Sequence, residues 1–488
     1  MAAKGETPVP SRARSAAVCS VLATVLLCAA HAAAAPQPAP PSAVAGPAGA
    51  VAAPSGASPV APAAAIDPVS ATNAYLATVA GEARARSDAY FEGGYWLQLW
   101  DFLIGVAVNL LLLATGLSRR MRDLAERLVR FRPLRTLLYW AQYLVLTSVV
   151  VFPMTVYEGF LREHAYSLSN QAFGGWLGDQ GKALGVGLVL GGLFVTVLYA
   201  VVRRLARTWA LWGAVTMVAL LVFAVLIAPV FIAPLFNKYT RLSDPLVGGP
   251  ILSLARAQGV TAGDVWVFDA SRQSKRVSAN VSGFAGTMRI SLNDNLLNRC
   301  SLAEIEAVMG HEVGHYVLNH VYKSILFFAV VIAVGFAVLK WSFEKVAAGW
   351  GARWGIRGVD DPAGLPLALT LLSVYFFLLT PALNTWTRTE EAEADLFGIN
   401  ASGQPDGEAR VDLMLGEYRK LEPSPLEEAF LFDHPSGRSR ILMAMRWKAE
   451  HAGEAATNAA RAAEADRQRG WSEAAAEAWA RAHAPESP

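Results

Sequence analysis

From residue 97 onward, apolar positions gather into runs far longer than a soluble core needs, separated by short charged connectors. Residues 97–117, 137–156, 184–202 and 211–235 are each long enough to cross a bilayer, and two more runs follow at 325–341 and 365–383. Trp96, Trp100, Tyr139, Trp140, Trp209, Trp212 and Trp386 stand near the ends of these runs, where interfacial aromatic belts form. The pattern predicts six membrane spans. A shorter run, residues 16–30, sits behind Lys4, Arg12 and Arg14 and leads to Ala30-His31-Ala32, which reads as a secretory signal; uncleaved, it is a seventh span. Residues 33–65 are almost wholly Ala, Pro, Gly, Ser and Val without periodicity, the composition of a flexible linker.

Between residues 236 and 300 the apolar runs give way to mixed sequence, which predicts a small β element. Val265-Trp266-Val267-Phe268 is a strand candidate, and residues 277–284 with 287–292 form a hairpin around Gly283 and Gly286. A helix follows, with Ser301 as its cap and Glu304 closing a capping box. No breaker separates Leu302 from the next span, so this helix is expected to continue into the membrane. After the last span, residues 385–397 continue as a helix carrying Glu390, Glu391, Glu393 and Asp395. The Ala-rich tail from residue 449 reads as a solvated or disordered end without chemistry.

Composition agrees with the spans: of 488 residues 54% are hydrophobic and 17% charged, and the mean hydropathy is +0.33. The formal net charge of +2 gives no basis for recruiting nucleic acid. Cys19 and Cys28 lie in the N-terminal apolar run, which leaves Cys300 alone and excludes both a disulfide framework and a thiolate metal site. Charge placement is more informative. Arg119, Arg120, Arg122, Arg127, Arg130, Arg132 and Arg135 fill the first connector and Arg203, Arg204 and Arg207 the third, whereas residues 156–182 hold one Arg and one Lys. By the positive-inside rule the first and third connectors are cytoplasmic, which puts the mixed region on the periplasmic side of a bacterial inner membrane.

The chemistry concentrates in residues 301–320. His311 and His315, four apart, project from one helical face with Glu312 beside them, the pattern H-E-x-x-H. Two neutral imidazoles at that spacing share one Zn²⁺, and the carboxylate can take a proton from the attacking water. A catalytic zinc needs a third protein ligand. The extended pattern H-E-x-x-H-x-x-G-x-x-H fails, because Leu318 and Val321 occupy the required Gly and His positions. On an unbroken helix His320 faces away from His311 and reads as a hydrogen-bonding residue at the membrane edge. That leaves a carboxylate from residues 390–395. Glu391 and Asp395 share one face, so one of them binds metal while the other orients a ligand histidine; Glu390 and Glu393 read as a solvated face.

His311 to His320, read HEVGHYVLNH, together with Arg388-x-x-Glu391-x-x-Ala394-Asp395, resembles the type I CAAX prenyl protease family of integral-membrane zinc metalloendopeptidases. Ala233-Pro234-Leu235-Phe236-Asn237-Lys238-Tyr239, Ser278-Ala279-Asn280 before Gly283, and His434-Pro435 with Arg440 extend the resemblance over residues 90–445. It implies His311, His315 and Glu391 as ligands of one Zn²⁺, Glu312 as general base, and Asp395 behind a ligand histidine. It also implies Asn280 on a substrate-binding edge strand, and His434 and Arg440 near the reacting carbonyl as oxyanion stabilisers.

The expected fold is predominantly α, a polytopic membrane bundle of six or seven spans with a zincin-like metalloprotease domain containing a small β-hairpin or sheet. Its expected divisions are 1–32 (signal or first span), 33–72 (linker), 73–235 (four spans), 236–444 (protease domain with two spans) and 445–488 (tail). The expected substrates are extended peptides or membrane proteins met at the lipid bilayer. Eukaryotic members are expected to face the cytosol, opposite to the charge count. A site-2-type intramembrane protease would need an Asp-Gly ligand motif in a later span, and neither later span has one. The other competing reading is a transporter or scaffold with an inactive metal fold.

Overall fold

A computed structural model describes residues 66–282 and 288–483. The signal segment, the linker up to residue 65 and the hairpin turn at Gly283 and Gly286 lie outside the described residues. Six helices are long and apolar enough to span a membrane: Glu82–Ala114, Arg132–Ala165, Phe173–Arg204, Trp209–Phe236, His320–Trp354 and Pro362–Ser402. Leu111, Val149, Phe231, Leu326 and Leu378 stand exposed on their outer faces, an arrangement suited to hydrocarbon rather than water. Inside the bundle the buried Tyr143 hydroxyl donates to Asn109 Oδ1 at 2.8 Å.

The mixed region forms one four-stranded sheet, ordered β1 (Tyr239–Arg241), β2 (Val265–Phe268), β4 (Arg289–Asn293), β3 (Ala279–Ser282). β2 and β4 are parallel, while β3 and β4 form the expected antiparallel hairpin with Asn280 opposite Ser291. This order leaves β3 at an edge, its outer backbone groups unpaired by the sheet. Ile290 and Leu292 of β4, with Leu296 just beyond it, pack on Leu302, Ile305 and Met309 of the metal helix, all of them fully buried. That shared core fixes the metal helix against the sheet edge.

Three expectations are corrected. The metal helix does not run into the membrane: it ends at Val317, and a new helix starts at His320 after Asn319 at φ 57°. Asn is one of the few residues that tolerates this left-handed conformation, so a junction can form without Gly or Pro. Residues 68–72 are not linker, because a helix spans Pro68–Thr78. Asp67 caps it, Pro68 occupies its first turn, and Leu76 packs with Ile441, Ala444 and Met445. The tail is docked as well. Helix Ala452–Gln468 buries Ala455 and Ala462, whose small side chains allow close packing, and the Leu302 N–H donates to Asp466 at 2.9 Å. Arg461 pairs at 2.8 Å with Glu306 on the metal helix.

Candidate metal centre

The metal helix Leu302–Val317 begins as the sequence requires, with the Ser301 and Glu304 capping box in place. It then crosses the last span at unusually short range. A Cβ added at Gly310 would come within 2.6 Å of the Gly398 carbonyl oxygen, and one at Gly398 within 2.7 Å of the His311 nitrogen. Only two glycines allow that approach, and it delivers His311 to the acids of the other helix.

Three side chains that could hold a metal converge there. His311 Nε2 and His315 Nε2 are 3.0 Å apart, and Glu391 lies 3.2 Å from the first through Oε2 and 3.6 Å from the second through Oε1. Tetrahedral Zn²⁺ with bonds near 2.0–2.1 Å holds its ligand atoms roughly 3.3 Å from one another, so the triangle fits zinc. Among the described residues this is the group of His, Cys, Asp and Glu close enough to hold a metal.

Each histidine is fixed from behind by a different device. His311 Nδ1 donates to Asp395 at 2.8 Å, which leaves the Nε2 lone pair toward the triangle. Asp395 is held in turn by Arg440 Nη2 at 2.6 Å. His315 Nδ1 lies 2.8 Å from Nδ1 of His320, whose Nε2 is 3.1 Å from Glu393. For His315 to offer Nε2 to a metal, its Nδ1–H must donate to His320, which then donates from Nε2 to Glu393. The chain turn at Asn319 makes this possible by bringing His320 back to the site. Glu393 also accepts from Lys323 at 2.7 Å, and Glu390 accepts from Ser324 at 2.6 Å. Glu390 is partly buried, while Glu393 is exposed.

Burial disfavours charge on His311, yet Asp395 and Glu391 outweigh it and push its pKa well above the ordinary imidazole value of 6.5. A metal must displace that proton.

His434 reaches the site from a loop, with Nε2 3.3 Å from Glu391 Oε2 and Nδ1 donating to Asp433 at 2.9 Å. Arg388 explains its own place in the motif. Its guanidinium donates to the carbonyls of Glu428 and Phe432 at 2.8 and 2.6 Å, anchoring the loop that carries His434.

Arg440 requires a correction. Its side chain is 8% exposed and bound to Asp395, Glu408 at 3.2 Å and Asp412 at 2.9 Å. Both of its Nη atoms are engaged by buried carboxylates, an arrangement suited to holding Asp395 rather than an oxyanion. Sequence reading also missed Arg419, whose Nη2 lies 3.4 Å from His434 Nε2. No local signal marks it. His320 could have been found from its Asn319 neighbour, a residue able to turn the chain.

A bundle of apolar spans carrying two imidazoles and a carboxylate around one point defines a membrane metalloprotease. Residues 72–238 match the CAAX prenyl protease N-terminal domain, described as five membrane helices, and residues 247–448 match Peptidase family M48. The chain is 30% identical over 346 residues to the uncharacterized metalloprotease YhfN of Bacillus subtilis (strain 168), covering 70% of this chain and 81% of that protein. It is 25% identical over 311 residues to CAAX prenyl protease 1 of Saccharomyces cerevisiae, covering 61% and 69%. The crystal structure of S. mikatae Ste24p shares the fold with a TM-score of 0.63 at 21% identity, over 77% of this chain and 94% of that one. The chain belongs to peptidase family M48.

Proposed function

We propose that this membrane metalloprotease is a zinc endopeptidase that hydrolyses extended peptide or membrane-protein substrates. The observation that carries the reading is the ligand triangle of His311, His315 and Glu391, with a donor-oriented imidazole at two of its corners. Zinc bound there supplies Lewis acidity for the scissile carbonyl and lowers the pKa of the attacking water to about 7. Glu312, one residue from His311, accepts the proton of the attacking water and returns it to the leaving amine. His434 stabilises the developing oxyanion. Arg440, through Asp395, holds His311 in the tautomer that presents Nε2. An extended substrate adds to the free edge of β3 near Asn280 through backbone hydrogen bonds.

Purified full-length protein tests this directly. Wild type should carry about one zinc per chain, His311→Ala should lose it, and Glu312→Gln should keep it while peptide cleavage drops by about 10²–10⁴. Full activity in Glu312→Gln contradicts the reading. The charge count supports an inner-membrane protein with a periplasmic site, so a reporter fused after Pro488 should be active in the periplasm; a cytoplasmic signal reverses the orientation.

A further inference from the structure

At the end of the bundle away from the metal, the first connector forms a helix, Leu117–Leu128, between the first two spans. One face is locked to the bundle. Ser118 donates to the Ala363 carbonyl at 2.7 Å, Arg122 pairs with Asp361, and Met121 and Ala125 are buried. Beside that face stand Leu124 and Leu128, with Phe131 just beyond the helix, the last two 66% and 63% exposed. Arg119, Arg120, Arg127, Arg130 and Arg132 of the same connector are exposed as well. The helix's own acids are already occupied: Asp123 by Arg122 at 2.8 Å, and Glu126 by Arg357 at 2.8 Å. Among the described residues none of those five arginines has a carboxylate at ion-pair distance.

We infer that this helix is an interfacial docking surface for anionic phospholipid headgroups. Its attachment selects the occupant. Only Thr115 and Gly116 separate it from the span before, and only residues 129–131 from the span after, so it cannot leave the bilayer boundary. A leaflet is the surface such a helix must meet, with the exposed leucines and Phe131 among acyl chains and the guanidiniums at phosphate level. Uncompensated arginines there select acidic over zwitterionic lipid. Exposed Trp341 and Trp350 near the same end, with Lys345 and Arg353 stacked over them at 4.3 and 5.4 Å, continue the same mixture of aromatic and basic groups. The inference does not depend on peptidase activity.

The test uses the full chain reconstituted in phosphatidylcholine bilayers with spin-labelled phosphatidylglycerol or phosphatidylcholine as probe. Wild type should immobilise phosphatidylglycerol with at least about a threefold preference at low ionic strength, falling toward one in 1 M salt. Replacing Arg119, Arg120, Arg127 and Arg130 together by Gln should cut the preference by more than half, and replacing them by Lys should keep it. Zinc content and helicity report whether each variant is folded. A wild-type ratio near one, a ratio insensitive to salt, or an undiminished preference in the folded Gln variant overturns the inference. Should the Gln variant not fold, the wild-type ratio and its salt response decide.

Discussion

The two histidines of the metal centre occupy adjacent turns of one helix, yet they are supported in opposite ways. Behind His311 stands a buried array of carboxyl groups around one guanidinium, Asp395 with Arg440, Glu408 and Asp412. Behind His315 stands a second imidazole, His320, and then Glu393, whose side chain is 45% exposed and shared with Lys323. The first device is rigid and sheltered from solvent. The second ends at the surface, where its carboxylate is screened by water and salt. In the proposed centre, ligand orientation is therefore expected to rest mainly on the His311 side.

The largest effect should come from Arg440. Arg440→Met leaves three carboxylates buried around a missing cation, which should cost about 3–5 kcal/mol of stability. Burial already pushes the Asp412 carboxyl well above its ordinary range and Glu408 upward, so both favour the protonated form. A raised acid pKa contributes stability below the unfolded value that is lost as pH rises through the folded one. The variant should accordingly be closer to wild type near pH 5 than near pH 8 in thermal unfolding. A larger deficit at low pH would break the account of the charge array.

Next comes Asp395→Ala, which should weaken zinc affinity about 10–100-fold in metal-competition titrations. His320→Ala should fall short of that, at about tenfold or less, and His320→Gln should recover part of the loss by restoring an acceptor for His315. If His320→Ala proved worse than Asp395→Ala, the ranking of the two sides would be reversed. Glu393→Gln should move the affinity least, within about twofold, because exposed charge contributes little.

Proton competition sharpens the same contrast. In chelated protein the raised His311 pKa stabilises the fold below pH 6.5 and that contribution disappears as pH rises through the folded value. Zinc needs the neutral imidazole, so the gain in Tm on adding zinc should grow with pH. A gain that shrank from pH 6 to pH 8 would count against a protonated His311 in the metal-free site.

Much of this was legible in the chain because it is local. Span length, the four-residue spacing of His311 and His315, the capping box at Ser301 and the strand Val265–Phe268 each need only a few neighbouring residues. The parts that were not legible depend on distant partners. Glu408 and Asp412 look like an acidic helix face until Arg440 arrives from another helix. Asn319 looks like a polar residue in a helix until its backbone turns, and the Ala-rich tail looks solvated until Ala455 and Ala462 are buried. The family resemblance implied Arg440 near the reacting carbonyl without showing the carboxylates that engage it.

The Asp466 carboxylate on the Leu302 amide joins residues 164 positions apart. On a ribosome, the stretch bearing both imidazoles emerges well before Glu391, and the group that finishes the start of its helix emerges later still. The triangle of His311, His315 and Glu391 therefore cannot close until the sixth span has been made, and the Leu302 amide waits longer still for its acceptor.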